Sequence, residues 1–235
     1  LCGRMLDADK IYEFSIGFGV ETDTLDAEGA VAATSDIRPS RAELEAVLPR
    51  FTGRIEQAPP TYSALKIEGK PAYARARAGE APEMKVRTVT VHSPSIIEVE
   101  PDRATLAARV SKGTYIRSLA RDIARALGTV GHVTMLRRLK AGPFTLDQAI
   151  SLDKLAEVGS ERRLEQLLLP LTAGLDDIAA LPVTPDQARL LRNGQKLAGI
   201  PAKPGLHLAT EGPVPVALVE ASGAELRVVR GFNLW

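Results

Sequence analysis

The sequence predicts an α+β protein with a small, mostly β domain at its C-terminal end. Three observations predict it. Residues 10–19, KIYEFSIGFG, alternate with period two, and extended runs return at 88–110 and 132–146. Two segments between these, 38–51 and 117–128, carry helical spacing with helix start and stop signals. From about residue 179 the pattern changes to short alternating runs punctuated by glycine and proline.

In the first strand, Ile11 and Glu13 take one face and Tyr12, Phe14 and Ile16 the other. ETDTLDAEGA follows as a polar loop ending in a glycine turn. In RPSRAELEAVLPRF, Ser40 is an N-cap with Glu43 three residues on, a capping box, and Leu44, Val47 and Leu48 follow at helical spacing. Residues 56–83 have no sustained periodicity and are rich in Pro, Gly, Ala and basic residues. The segment is too long for an ordinary connector, which makes it a candidate functional loop. Residues 88–100 and 104–110 read as two strands of a hairpin or meander. RSLARDIARALG is an amphipathic helix with Leu119, Ile123, Ala126 and Leu127 on one side and Gly128 as its stop. Helices are expected at 147–158 and 161–171. Beyond a break near AALPVTP, Thr184 caps a helix with Pro185 at its first position and Gly194 at its end. The runs LHLAT, VPVALVEA and ELRVVRGF then read as strands, with Ser222-Gly223 a turn.

Of the 235 residues, 45% are hydrophobic, enough for one sizeable core with a satellite domain. Net charge is +1, but its distribution is uneven. Residues 1–60 hold 6 basic and 11 acidic side chains, residues 61–90 hold 6 and 3, and residues 111–140 hold 7 and 1. Two basic blocks in a near-neutral chain indicate either a local anion-binding surface or a face whose counter-charges lie elsewhere in the fold. The single cysteine, Cys2, excludes an intrachain disulfide and a cysteine metal cluster, and His92, His132 and His207 show no metal-ligand spacing, so no metal is expected. No apolar run approaches the roughly 20 residues of a membrane span. A cytoplasmic location without membrane attachment is the expectation. Leu1 is not an initiator methionine, and residues are expected to precede it.

Residues 111–128, SKGTYIRSLARDIARALG, pose a specific problem. The stretch to Ile116 reads as a strand end and the remainder as a helix. Arg117 therefore stands at the positive end of a helix dipole, where a cation is disfavoured. It requires a compensating group, and a carboxylate paired in bidentate fashion is the best fit. The pairing serves either to fix the strand-to-helix turn or to build a site. Tyr115 and Arg117 project together from an extended chain. Tyr62 and Tyr73 interleave with Lys66, Lys70, Arg75 and Arg77, a composition that stacks on bases and neutralises phosphates, or else forms a solvated surface loop. Lys112, Arg137 and Arg138 add cations nearby in sequence, and Leu136 beside the two arginines reads most simply as core.

TDTLDAEG, PPTYSALKIEGKPAYARARAG, SKGTYIRSLARDIARALG and HVTMLRRL resemble, in order and spacing, the bacterial-type TruB family of tRNA pseudouridine synthases. The resemblance spans about residues 6–139 and continues more loosely to the end. It implies a mixed, mostly antiparallel central sheet with flanking helices, the pseudouridine synthase fold. It divides the chain into a catalytic domain at 1–178, lacking its N-terminal part, and a PUA-like RNA-binding domain at 179–235, whose start is LPVTPDQARLLRNGQ. The implied activity is isomerisation of the T-loop uridine at tRNA position 55, by base flipping and covalent aspartate catalysis, without cofactor. Tyr12 then stacks on the flipped uracil and takes the C5 proton, Tyr115 lines the same pocket, Arg117 pairs with the catalytic aspartate, and Leu136 closes on the base. Tyr62, Lys66, Lys70, Arg75, Lys112, Arg137 and Arg138 contact RNA, with 56–83 as a tRNA clamp. The nucleophilic aspartate belongs to a motif upstream of the Tyr12 position and has no match here, since Asp7 and Asp9 match the aspartates just before Tyr12. The expected partner is the tRNA T-arm, and the expected state a monomer. The alternative is a non-catalytic tRNA-binding or RNA-folding module.

Overall fold

The computed structural model describes residues 2–80, 84–161 and 163–233. The chain divides into two compact units, Leu1–Leu146 and Asp147–Trp235. The division falls earlier than the expected boundary at 178/179. Leu171, Leu175 and Ile178 account for this, because they pack in one cluster with Leu206, Leu208, Leu218 and Phe232 and so give 171–178 its core in the second unit.

The first unit opens with a short helix α1 (Cys2–Asp7) and contains strands β1 (Lys10–Phe18), β2 (Val20–Thr22), β3 (Val31–Thr34), β4 (Gly53–Gln57), β5 (Lys66–Ile67), β6 (Lys70–Pro71), β7 (Arg87–Glu100), β8 (Arg103–Val110), β9 (Gly131–Ala141) and β10 (Phe144–Thr145), with helices α2 (Arg41–Val47), α3 (Ala72–Arg77) and α4 (Ile116–Ala126). Six strands form one sheet in the order β10-β9-β1-β8-β7-β4. All its pairings are antiparallel, and a parallel element enters only as an isolated bridge between Asp26 and Val133. Burial follows the period-two pattern. Phe14, Ile16 and Phe18 of β1 face Leu106 and Ala108 of β8 and Leu119, Ala120, Ile123 and Ala124 of α4, with Tyr12 packed at the edge of the same cluster. Each fully buried Leu, Ile or Phe contributes about 1.5–3 kcal/mol by leaving water.

The helix ends follow from local chemistry. At α2 the Ser40 hydroxyl accepts from the Glu43 N–H while the Glu43 carboxylate accepts from the Ser40 N–H, so the capping box forms as its spacing predicts. That backbone hydrogen bond, with the one from the Ser40 hydroxyl, holds the Glu43 carboxyl below the usual glutamate value. The folded value is depressed, so this cap's contribution is fully present above the ordinary glutamate range and fades as pH falls through the folded value. At the far end of α4, Gly128 adopts φ +75°. Its N–H reaches the Arg125 carbonyl, and the Thr129 N–H reaches that of Ala124, at 3.0 and 3.1 Å. This is a Schellman closure that a side chain at the left-handed position would strain.

The second unit holds α5 (Leu152–Ser160), β11 (Ala180–Pro182), α6 (Pro185–Arg192), β12 (Leu197–Ala198), β13 (Gly205–Glu211), β14 (Val214–Ser222) and β15 (Glu225–Gly231). Its five strands order as β11-β13-β14-β15-β12. Thr184 caps α6 in a second capping box, with Gln187. The expected helix over 161–171 does not form. Single 3-10 turns stand at Leu164–Leu167 and Leu171–Gly174. Pro170 cannot continue a helix, and Leu164, Leu168 and Leu169 stay exposed without an apolar partner surface. Arg162 of that segment lies outside the described residues. The helix expected at 147–158 starts only at Leu152, because Ser151 caps it there. Among the described residues no helix is long and apolar enough to cross a membrane.

Leu106 is fully buried at the centre of the sheet. Leu106→Ala is expected to cost about 2–5 kcal/mol, read as a lower urea midpoint with unchanged slope. A loss below about 0.5 kcal/mol would mean the core does not centre on β8.

Candidate nucleic-acid interface and active site

The segment after β8 does not continue as a strand to Ile116. Extended pairing stops at Val110, 111–115 forms a turn, and Ile116 is the first residue of α4 with Tyr115 as its N-cap in extended conformation. Arg117 thus lies in the first helical turn, where the dipole opposes it. Its guanidinium is compensated from three directions. Nη1 donates to the Thr24 carbonyl at 2.9 Å and to Asp26 Oδ2 at 2.8 Å, and Nη2 donates to the Tyr62 carbonyl at 2.9 Å. Nε and one Nη2 hydrogen have no partner among the described residues.

The expectation that Arg117 pairs with an aspartate upstream of Tyr12 is therefore incomplete, since a carboxylate downstream of it already holds one side of the fork. Asp26 is engaged through both oxygens. Its Oδ1 accepts from the Thr24 hydroxyl at 2.6 Å and the Glu28 N–H at 3.2 Å, while Oδ2 takes Arg117. A carboxylate held by three donors is suited to orienting the arginine. The loop is built to present it. Leu25 adopts φ +64°, a left-handed conformation costing a non-glycine residue about 1–3 kcal/mol. Its side chain is buried, its carbonyl accepts from the Val133 N–H of β9, and the Thr22 hydroxyl holds the Asp26 carbonyl at 2.6 Å. At Gly29 a Cβ would collide with Thr24 Oγ1 and the Asp23 carboxylate and lie 2.8 Å from the Thr24 backbone nitrogen.

Tyr12 lies opposite Ala108, near the end of β8 that runs on into 111–117. Arg117 reaches back to Asp26, which bridges Val133 of β9 opposite Ile16. Tyr12 packs on the α4 face, opposite Arg138 of β9, whose guanidinium lies 5.5 Å from its ring centroid. Leu136 stands opposite Phe14 and is 48% exposed, so it is not core, which the simplest reading of its sequence context suggests. Tyr115 is held differently. Its N–H and carbonyl are both bonded to the Gln57 carboxamide, at 2.8 and 3.1 Å, and the Arg87 guanidinium lies 5.4 Å from its ring centroid.

The segment expected as an irregular loop at 56–83 has structure of its own. β5 and β6 form a hairpin with Glu68 and Gly69 at its turn, and α3 follows directly. Residues 81–83 lie outside the described residues. Arg75, expected on the RNA side, is instead turned into this element. Its side chain is 20% exposed and pairs with Glu68 at 2.6 Å and Glu80 at 3.4 Å. Its charge is committed to the loop's own carboxylates. Arg77 lies over the Tyr73 ring at 5.7 Å.

The uneven charge distribution resolves into two populations. Counter-charges from the acidic residues 1–60 meet the basic block at 111–128: Lys112 pairs with Asp7, Arg117 with Asp26, and Arg125 with Glu21. The Lys112 hydrogen bond draws the Asp7 carboxyl below its ordinary value. Arg121 pairs with Asp122 and Arg75 with its own loop's carboxylates, and a further group is of the other kind. Among the described residues Lys66, Lys70, Arg87, Arg137, Arg138 and Lys140 form no ion pair, and they stand on the hairpin, at the start of β7 and towards the end of β9. Arg137, Arg138 and Lys140 lie opposite Glu13, Tyr12 and Ile11, and Arg87 lies over the Tyr115 ring, an arrangement suited to a polyanion carrying planar bases.

Sequence reasoning missed Asp26, Gln57 and Arg87. The acidic excess of residues 1–60 was the available signal for Asp26, and nothing in the local pattern marks Gln57.

Gly29→Ala is expected to displace Thr24 from Asp26 and loosen the loop at a cost of about 1–3 kcal/mol. Denaturant titration and faster amide exchange at Val133 would register it. Unchanged protection at Val133 would show that the loop does not depend on this close approach.

Two family models match residues 1–176 in succession: "TruB family pseudouridylate synthase (N terminal domain)" over residues 1–116 and "tRNA pseudouridylate synthase B C-terminal domain" over 117–176. The chain is 59% identical over 233 residues to tRNA pseudouridine synthase B of Zymomonas mobilis, covering 99% of itself and 77% of that protein. It is also 59% identical over 239 residues to that of Novosphingobium aromaticivorans, covering 100% and 79%. Among solved structures it resembles a chain of an H/ACA RNP bound to a substrate RNA containing 2'-deoxyuridine, with TM-score 0.71, 20% identity, and 98% and 68% of the two chains covered. It likewise resembles a chain of a Cbf5-Nop10-Gar1 complex, with TM-score 0.68, 23% identity and the same coverage. These two likenesses are of fold.

Proposed function

Because this chain belongs to the TruB family of pseudouridylate synthases, we propose that the sheet end bearing Tyr12, Tyr115 and Arg117 is where the T-loop uridine at tRNA position 55 is isomerised. The chain makes pseudouridine in tRNA, as its relatives' names say of them. The observation that supports the placement is the oriented guanidinium of Arg117, held by Asp26 with part of its fork open, in the chain that follows β8, the strand paired with the one that carries Tyr12.

The reaction breaks the C1′–N1 bond, turns the uracil and joins C1′ to C5. The C5 proton leaves and N1 takes up a proton, so composition is unchanged. The base must first leave the stack, at a cost of a few kcal/mol. Stacking on Tyr12 offsets this, with Tyr115 as a second wall and the exposed Leu136 closing on the base. Arg138 over the outer face of Tyr12 steadies that ring by a cation–π contact. Tyr12 is placed to accept the C5 proton. Arg117 acts on the nucleophilic carboxylate that the family resemblance implies. Held on one side by Asp26 and two carbonyls, it keeps Nε–H and an Nη2–H for a second carboxylate, which it holds ionised and aimed. Attack by a carboxylate divides one difficult displacement into two easier steps. The T-arm backbone lies along the cations of the hairpin and of β9.

Tyr12→Ala and Arg117→Ala are expected to lower turnover by roughly 10²–10⁴-fold, with a much smaller loss of tRNA affinity. Tritium release from C5-labelled tRNA measures this, and near wild-type release from both variants would refute the assignment.

The two kinds of cation separate in a salt titration. Lys70→Ala removes a free cation and should flatten the slope of log K against log salt by about 0.7–0.9. Arg75→Met should leave the slope within about 0.3 and lower the melting temperature, since its charge serves the loop. Equal slope changes would place both on the RNA.

A further inference from the structure

We propose that Gln57 and Arg87, at the paired ends of β4 and β7, form a mount that positions Tyr115, and that this mount sets the rate of the chemical step rather than the strength of tRNA binding. The proposal rests on the reading of Tyr115 as a wall of the uracil pocket.

Gln57 is 1% exposed. A buried carboxamide requires partners for its donors and acceptor, and Gln57 finds them in one residue 58 positions away: the Tyr115 N–H donates to Oε1 and Nε2 donates to the Tyr115 carbonyl. A main chain gripped at both its donor and its acceptor can neither rotate its peptide planes nor slide along the strand end. Tyr115 needs this grip because it is an N-cap without a side-chain cap, at the end of a turn where the backbone has no strand partner. Gly113 two residues before it has φ +81°.

Gln57 and Arg87 are directly opposite in the β4–β7 register, so one strand pair supplies both halves of the mount. Gln57 fixes the main chain, and Arg87 covers the ring by cation–π attraction at 5.4 Å. Arg87 makes no ion pair among the described residues, and its Nη1 would sit 3.4 Å from a Cβ at Gly113, so the turn leaves room for its guanidinium. Neighbouring contacts continue the same theme. The Ala58 carbonyl accepts from the Ser118 hydroxyl at 2.8 Å, and the Tyr62 carbonyl from Arg117. Residues 57–62 thus line the first turn of α4 with acceptors, and Gln57 is the member whose side chain does the holding.

The test uses Gln57→Met, which keeps length and apolar stem but supplies no hydrogen bond, together with Arg87→Met, Tyr115→Ala and the double variant Gln57→Met/Tyr115→Ala. Single-turnover tritium release and tRNA dissociation constants are measured on each full chain, with melting temperatures to establish the folded fraction. Gln57→Met is expected to lower the single-turnover rate about 10–100-fold, as an ångström-scale misplacement does, with the dissociation constant within about threefold. Arg87→Met is expected to lower it by a smaller factor, and Arg87→Lys to restore most of that loss. The double variant is expected to be no slower than the worse of Gln57→Met and Tyr115→Ala. A wild-type single-turnover rate in folded Gln57→Met, or losses that multiply in the double variant while Tyr115→Ala is itself defective, would overturn the mount. A wild-type rate in Tyr115→Ala would instead overturn the pocket-wall reading, and the mount with it. Should Gln57→Met not fold, Arg87→Met decides: a change confined to the dissociation constant would overturn the proposal.

Discussion

The structure turns on one electrostatic problem and its solution. A guanidinium in the first turn of α4 opposes the helix dipole, and the fold answers with one carboxylate and two main-chain carbonyls from two separate loops. The pair is part-buried, with Arg117 24% and Asp26 28% exposed. At that exposure, geometry matters more than raw Coulomb energy. Each supporting feature can be traced back to this pairing. The left-handed Leu25, the close approach of Gly29 to Thr24, and the bridge of Asp26 to Val133 all serve to bring one carboxylate to one arginine. Strain at Leu25 is offset by its burial and by the hydrogen bond its carbonyl accepts from β9.

The same logic sorts the charges. An acidic N-terminal portion and a basic portion around α4 pair across the fold, which leaves a smaller set of cations unneutralised on the hairpin, at the start of β7 and towards the end of β9. Total net charge conceals this division. The first set holds the scaffold, and the second forms no ion pair among the described residues. Arg75 illustrates the distinction within a single loop. In sequence it belongs with Lys66 and Lys70, yet in the fold it faces Glu68 and Glu80.

What was legible in the sequence was what local chemistry decides. The capping boxes at Ser40 and Thr184, the stop at Gly128 and the two faces of β1 each depend on neighbours within a few residues, so pattern suffices. The α+β class followed from them. Expectations failed where distant partners decide. Residues 161–171 carry leucines at plausible helical spacing, but Leu164, Leu168 and Leu169 stay exposed and Pro170 interrupts them. The segment from 56 acquires a hairpin and a helix because its chain folds on itself, as in the Ala72 N–H donating to the Leu65 carbonyl. Asp26 was not legible as a partner of Arg117 because it comes from a loop 91 positions away, and it adds to the upstream carboxylate that the family resemblance implies. Gln57 was invisible for the same reason, since its role exists only once β4 and α4 are adjacent.

The most direct measurement is a double-mutant cycle on the Arg117–Asp26 pair, with single-turnover tritium release from C5-labelled tRNA as the readout and Arg117→Ala, Asp26→Ala and their combination as variants. If Asp26 serves to hold Arg117, each single substitution slows release and the combination is no slower than the worse of the two. Losses that multiply, or a wild-type rate for folded Asp26→Ala, would contradict the account.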